Sequence, residues 1–276
     1  MTRIHQETFG EGKPIVLVHG WAMHIGIWRE FAKQLAQHYR VTCVDLPGHG
    51  HSGKIDPLTL ERISAELVNI IPPAPPFSKG GAGGICWLGW SLGATVVLDI
   101  ADRYPERVSS LVLLAGNPSF TVGATGRSLE TQAQWSGMDV RLLDYFAEYL
   151  NKDCQATLLR FLSLQVNGMP DRKALLKDLK TAVFEYATPD KATLQGGLDI
   201  LKQADLRPVL SGLNIPVSVI LGGLDTLVPV AVGQKMQQLL PSLELNIIDR
   251  AGHVPFLSHS RETVAIISRF MDEQCI

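Results

Sequence analysis

The sequence predicts an α/β protein, with a mostly parallel central sheet flanked by helices, on three observations. Short apolar runs rich in β-branched residues alternate with stretches of helical spacing, the pattern of parallel strands joined by crossover helices. One such run, Ile85 to Leu88, passes directly into Gly89-Trp90-Ser91-Leu92-Gly93 and then into a helix-like run from Leu92 to Tyr104, which spells strand, sharp turn and helix. The chain has 276 residues, 46% of them hydrophobic. A chain of that size buries about three quarters of the surface its unfolded form exposes, and one core suffices.

Each element follows from its local pattern. Ile15 to Val18, bounded by Pro14 and His19-Gly20, reads as a buried strand, and Ile27 to Tyr39 carries apolar residues at helical spacing. Val41 to Val44 is the next strand, ended by the breaker-rich loop Asp45 to Gly53, and Thr59 to Ile71 reads as a helix. The Pro- and Gly-rich stretch Pro72 to Gly84 has neither pattern and is expected to be an exposed loop. It lacks the Gly-Lys-Ser/Thr ending of a phosphate-binding loop and leads into a strand. Val108 to Ala115 is the strand after the helix that follows Ser91. From 118 to 195 the strand signal fades, and helix-like stretches appear at Asp144 to Tyr149, Gln155 to Leu164 and Lys173 to Phe184. So long a connection is expected to be a helical cap over the sheet's carboxyl edge, inserted after the sixth strand into one domain made of 1–117 and 196–276. Val217 to Leu221 and Leu243 to Ile248 restore the sheet, with helices near Ala231 to Leu240 and Ser260 to Met271.

Composition narrows the function classes. A net charge of −2 argues against broad attraction to nucleic acid or membrane. Cys43, Cys86, Cys154 and Cys275 are widely spaced, with no Cys-x-x-Cys, and read as reduced thiols. No apolar signal core stands at Met1 to Gln6, and no run approaches the length of a membrane span. The expectation is a cytoplasmic monomer needing no cofactor and no metal.

The chemistry begins at Ser91. A serine hydroxyl is a poor nucleophile unless it is held out beside a base, and Gly-x-Ser-x-Gly between strand and helix allows the close approach and strained backbone that do this. Asp225, in Gly222 to Pro229, follows one later strand, and His253, in Arg250 to Phe256, follows the next. All three residues therefore sit just past strand ends on the carboxyl edge of a parallel sheet, where ligands bind in open α/β folds. His253 is expected to take the Ser91 proton and return it to the leaving group, while Asp225 fixes the histidine tautomer. The oxyanion needs preset donors; the backbone N–H groups of Leu92 and Trp21 are the candidates. His49 and His51 read as turn residues, since a metal site needs more converging ligands. An aspartate nucleophile is excluded by Ser91 itself.

The elbow Gly89 to Gly93, His19-Gly20-Trp21, Asp45-Leu46-Pro47-Gly48-His49-Gly50 and Gly252-His253, in the chain order serine, acid, histidine, resemble the α/β-hydrolase superfamily over nearly the whole chain. Trp87 to Gly93, Arg160-Phe161-Leu162-Ser163-Leu164-Gln165 and Gly196 to Arg207 are similar, more narrowly, to the pimeloyl-[acyl-carrier protein] methyl ester esterase family of biotin synthesis. That resemblance implies hydrolysis of the methyl ester at the far end of a seven-carbon acyl chain on acyl carrier protein. By the same resemblance Ser91, Asp225 and His253 match the triad, Trp21 and Leu92 the oxyanion donors, and Phe161 an aromatic substrate contact. The stretch Pro72 to Gly84 is longer than the family pattern and is expected to be a tolerated surface insertion.

The implied carrier protein is strongly acidic, which directs attention to the cap. From Lys152 to Lys180 six basic residues face three acidic ones, and Lys173, Lys177 and Lys180 share one helical face. Arg160, Lys173 and Lys177 are the candidates for docking the carrier. Two other readings stay open on the sequence: a short-chain carboxylesterase or carbon–carbon bond hydrolase using the same three residues, and a small-molecule receptor on this fold.

Overall fold

The computed structural model describes residues 2–73, 84–122 and 135–273; most of the Pro- and Gly-rich stretch, 74–83, lies outside the described residues, as does 123–134 at the entry to the cap. Seven strands form the main sheet: β1 (Gln6–Phe9), β2 (Lys13–Val18), β3 (Tyr39–Val44), β4 (Ile85–Trp90), β5 (Val108–Leu114), β6 (Val217–Gly222) and β7 (Glu244–Ile248). Their order is β1-β3-β2-β4-β5-β6-β7, with β1 antiparallel to β3 and every other pair parallel.

The near-continuous apolar runs of β2, β4, β5 and β6 are what a strand buried on both faces requires. Alternate residues divide between two cores. Val16, Val18, Trp87, Leu111, Leu113 and Val219 face one side of the sheet, and Ile15, Leu17, Cys86, Leu88, Val112 and Ile220 face the other. The first side is covered by α2 (Leu60–Ile70) and α3 (Leu92–Arg103), the second by a 3-10 turn (Ile25–Trp28), α1 (Arg29–Leu35) and a C-terminal helix (Ser260–Glu273). Helix α3 is buried from Leu92 to Ala101 because it lies between the sheet and α2, which explains its small and apolar composition.

The cap contributes α4 (Val140–Lys152), α5 (Cys154–Gln165) and α6 (Arg172–Val183), followed by α7 (Lys191–Gln203). Asp139, Asp153 and Asp190 cap the N-termini of α4, α5 and α7 by accepting backbone N–H bonds. Residue 195, where the sequence places the end of the cap, lies inside α7, so no linker marks a boundary there. The insertion point also differs from the expected one: five strands of the described main sheet precede the cap, not six. The extended pair Thr121–Val122 and Met138–Asp139 makes a separate ribbon, because β5 is already bonded to β4 on one side and β6 on the other.

One strong periodic pattern shifts at its ends, and one strand goes unsignalled. The stretch read as one helix from Ile27 to Tyr39 is a 3-10 turn, then α1, and Tyr39 already belongs to β3. Strand β1 carried no sequence signal, since its four residues lie on the sheet's edge and bury little.

Candidate active site

Ser91 occupies the single-residue turn between β4 and α3 with φ 55° and ψ −118°, a conformation costly for a residue with a side chain. The turn is held because Ser91 N–H donates to Leu114 O at 3.1 Å and Ser91 O accepts from Ala94 N–H at 2.9 Å. Both flanking glycines are required by close approach: a Cβ on Gly89 would overlap the Gly93 carbonyl, and one on Gly93 would overlap the Val18 carbonyl. Helix α3 therefore starts directly against β2 and β4, and Ser91 stands at the carboxyl edge of the sheet beside the His19-Gly20 turn. A Cβ on Gly20 would lie only 3.2 Å from Ser91 Cβ.

Asp225 sits in the turn after β6. Its Oδ1 accepts the N–H groups of Leu227 at 2.8 Å and Val228 at 3.0 Å, which leaves Oδ2 to accept from His253 Nδ1 at 2.8 Å. With the proton on Nδ1, Nε2 is the ring's acceptor, and it lies 3.0 Å from Ser91 Oγ. The three residues the sequence singled out from three separate strand ends thus form one relay. Such a relay can take a proton from Ser91 and hand it to a leaving group.

The relay is buried: Ser91 is 4%, His253 1% and Asp225 7% exposed. The loop that carries His253 lies against the C-terminal end of α5. The carbonyl of Gln165, which has no acceptor role left inside its own helix, accepts from His253 N–H at 3.1 Å. On its other side the His253 carbonyl accepts from the Trp90 indole N–H at 2.8 Å. Neither contact was legible in the sequence, because a backbone carbonyl leaves no residue signature and Trp90 reads as one more apolar strand residue.

The two candidate oxyanion donors are placed consistently with that task. Leu92 is the first residue of α3, so its N–H has no intrahelical acceptor. Neither it nor Trp21 N–H meets an acceptor among the described residues. The Trp21 side chain donates from Nε1 to Leu194 O at 2.8 Å and meets Phe161 of α5 edge-on, centroids 4.8 Å apart. Phe161 in turn meets Phe146 of α4 edge-on at 5.7 Å, so an aromatic lining runs from the core into the cap.

The turn bearing Trp21 is braced by histidines that are not proton carriers. His19 donates from Nδ1 to Gly20 O at 2.8 Å and accepts Leu46 N–H on Nε2 at 3.0 Å, and burial holds its pKa well below the usual value. His49 is bonded from Nδ1 to Pro47 O and pushed down by burial to about 4. Asp45 anchors the loop by accepting the N–H groups of Ile25 at 2.7 Å and His51 at 2.9 Å, and Gly50 is required because a Cβ there would overlap that carboxylate. Among the described residues no three His, Cys, Asp or Glu side chains are grouped to hold a metal ion.

The basic cap residues are not brought into one cluster by any contact. Arg160 of α5 lies over the Tyr145 ring at 4.6 Å and donates to its hydroxyl at 2.6 Å. Lys173 and Lys177 are exposed on α6. None of the three makes an ion pair with an acidic side chain among the described residues. No helix among them is long and apolar enough to cross a membrane.

Comparison with known proteins extends the geometry. Residues 13–260 match the family model of the alpha/beta hydrolase fold. The chain is 39% identical to a pimeloyl-[acyl-carrier protein] methyl ester esterase of Methylococcus capsulatus, over 96% of this chain and 97% of that one, and 38% identical to the protein so named in Nitrosomonas europaea, over 96% and 98%. An esterase of Exiguobacterium antarcticum superposes with a TM-score of 0.82 over 98% of this chain and 96% of its own at 20% identity, which speaks for the fold alone. A serine poised on a glycine-flanked elbow, a histidine and aspartate from later strand ends, and likeness over the full length of both chains place this protein in the alpha/beta hydrolase fold family and, within it, in the pimeloyl-[acyl-carrier protein] methyl ester esterase family.

Proposed function

We propose that the protein hydrolyses the methyl ester of a pimeloyl chain carried on acyl carrier protein, releasing methanol, with Ser91 as nucleophile, His253 as base and Asp225 as its orienting acid. The observation that carries the reading is the Ser91–His253–Asp225 relay, at 3.0 and 2.8 Å, in a chain matching such esterases over its full length. Ser91 Oγ attacks the ester carbonyl carbon while its proton passes to His253 Nε2. The N–H groups of Trp21 and Leu92 hold the resulting oxyanion. The bond to the methoxy oxygen then breaks as Nε2 returns the proton, and methanol departs. Water attacks the acyl-enzyme, gives a proton to Nε2, and the collapse frees the carboxylate and restores Ser91.

Phe161, with Trp21, lines the apolar slot for the seven-carbon chain, and Arg160, Lys173 and Lys177 attract the acidic carrier. The test is genetic and chemical together. The gene should restore biotin-free growth to a host lacking its own pimeloyl methyl ester esterase, the Ser91→Ala gene should not, and a fluorophosphonate should label the wild type alone. Labelling and turnover of short esters without rescue would leave a serine esterase of a different substrate.

A further inference from the structure

His253 must keep Nε2 within hydrogen-bond reach of Ser91 while standing on a loop 162 residues further along the chain. Asp225 restrains the ring; the backbone carrying the ring is restrained separately. We propose that Trp90 is a positioning residue for the base: its indole N–H, on the residue immediately before the nucleophile, fixes the His253 carbonyl and so ties the base's loop to the nucleophile's own strand. The inference rests on the reading of His253 as the base of a serine hydrolase.

Three observations support it. The Trp90 Nε1 to His253 O bond, at 2.8 Å, is buried, so no water competes for either group. The tryptophan cannot swing, because Phe256 meets its ring at 5.0 Å and a Cβ on Gly20 would come within 3.2 Å of its ring. The base ring itself lies 5.9 Å from the Trp90 ring, so one side chain contacts both the backbone and the imidazole of the same residue.

Trp28 supplies the internal control. It lies in the same aromatic cluster, 4.4 Å from Phe256, fully buried, yet its own indole N–H meets no partner among the described residues. Two neighbouring indoles thus share packing and differ in whether the N–H is used.

The experiment compares Trp90→Phe with Trp28→Phe. A misplacement on the order of 1 Å at a reacting group costs about a hundredfold in rate. Trp90→Phe should therefore lower kcat about 10- to 100-fold with KM within about twofold, and slow fluorophosphonate labelling by the same factor. The far-downfield proton resonance of the His253–Asp225 hydrogen bond, which needs no substrate, should shift or broaden. Trp28→Phe should leave all three readings close to wild type. If Trp90→Phe does not accumulate folded, 3-benzothienylalanine at position 90 keeps the bicyclic ring, deletes only the N–H, and carries the same expectations. Unchanged kcat and resonance in the position-90 variant overturn the inference, as does an equal loss in both phenylalanine variants, which would assign the effect to packing. Absence of wild-type turnover on the carrier-bound ester would count against the substrate reading, while the resonance comparison would still decide the role of Trp90.

Discussion

The rings of Phe161 and Trp21 meet at 83° between planes, joining a cap helix to the turn that carries a candidate oxyanion donor. On its other side Trp21 is fitted against helix α7, where a Cβ on Gly197 would lie 2.5 Å from the indole Cδ1 and 3.0 Å from Nε1. Replacing glycine by alanine inside a helix ordinarily stabilises by about 1 kcal/mol. Gly197→Ala should do the reverse, because the indole is held by Phe161 and Leu194 and has nowhere to retreat. Its melting temperature should fall, and kcat should fall about tenfold as the Trp21 backbone shifts, short of the 10²- to 10³-fold loss that follows removal of a donor. Equal melting temperatures for variant and wild type would show that Trp21 is loosely held.

Asp225→Asn should separate fold from chemistry. The asparagine carbonyl can still accept from Leu227 and Val228, so the turn survives; its amide then presents N–H to His253 Nδ1, which must drop its own proton to accept. That places the imidazole proton on Nε2, facing Ser91. Turnover should fall on the order of 10⁴-fold with unfolding temperature nearly unchanged. Steady-state kinetics alongside thermal unfolding checks both halves. Adding Asp225→Asn to Ser91→Ala, by contrast, should lower the rate little further, because loss of the nucleophile already disables the relay as a unit.

Acid should unfold the protein through its neutral buried histidines. Burial lowers His19, His24 and His49 below the unfolded value of 6.5, His49 to about 4, so the folded state binds fewer protons than the unfolded one between pH 4 and 6.5. Stability then rises with pH across that window and is lost as pH falls through it, by about 3 kcal/mol for His49 alone. Asp45, which burial raises, acts in the opposite sense. Urea unfolding at pH 7 and pH 5 should show a lower midpoint in acid, and His49→Asn should flatten the dependence. A midpoint independent of pH between 5 and 7 would contradict the assignment.

Reversal of the cap charges tests carrier docking. Arg160→Glu, Lys173→Glu and Lys177→Glu together should raise KM for the carrier-bound ester at least severalfold and weaken its dependence on salt, since such contacts act mainly on association and are screened. Hydrolysis of a small free ester should be nearly unaffected. Arg160 also rests on Tyr145, so Tyr145→Phe is the companion that removes the hydroxyl partner and leaves every charge in place. A parallel loss on both esters would assign the charges to the active site or the fold.

What the sequence made legible was whatever is written in residue type. Gly89 and Gly93 announce a close approach that only glycine permits, and the apolar runs of β2, β4, β5 and β6 announce strands buried on two faces. Ser91 and Asp225 were readable because each follows such a run, and His253 because it follows β7, an edge strand still marked by its apolar residues. Strand β1 was not, because four residues at an edge need no hydrophobic alternation. The tether of His253 to the cap was hidden as well, since it depends on where α5 stops and on a carbonyl every residue possesses. His19 illustrates the intermediate case: the sequence placed it in the right turn, but its bond to Leu46 depends on a loop 27 residues away.

The end of α5 has a consequence for how the base is held. The Gln165 carbonyl ends a cap helix and also carries one of the two backbone tethers of His253, the other being the Trp90 indole. The main chain of the base therefore hangs between the inserted helices and the sheet, its N–H on α5 and its carbonyl on the last residue of β4. A substitution that displaces the end of α5 reaches the imidazole through peptide groups alone, without touching any of the three relay side chains.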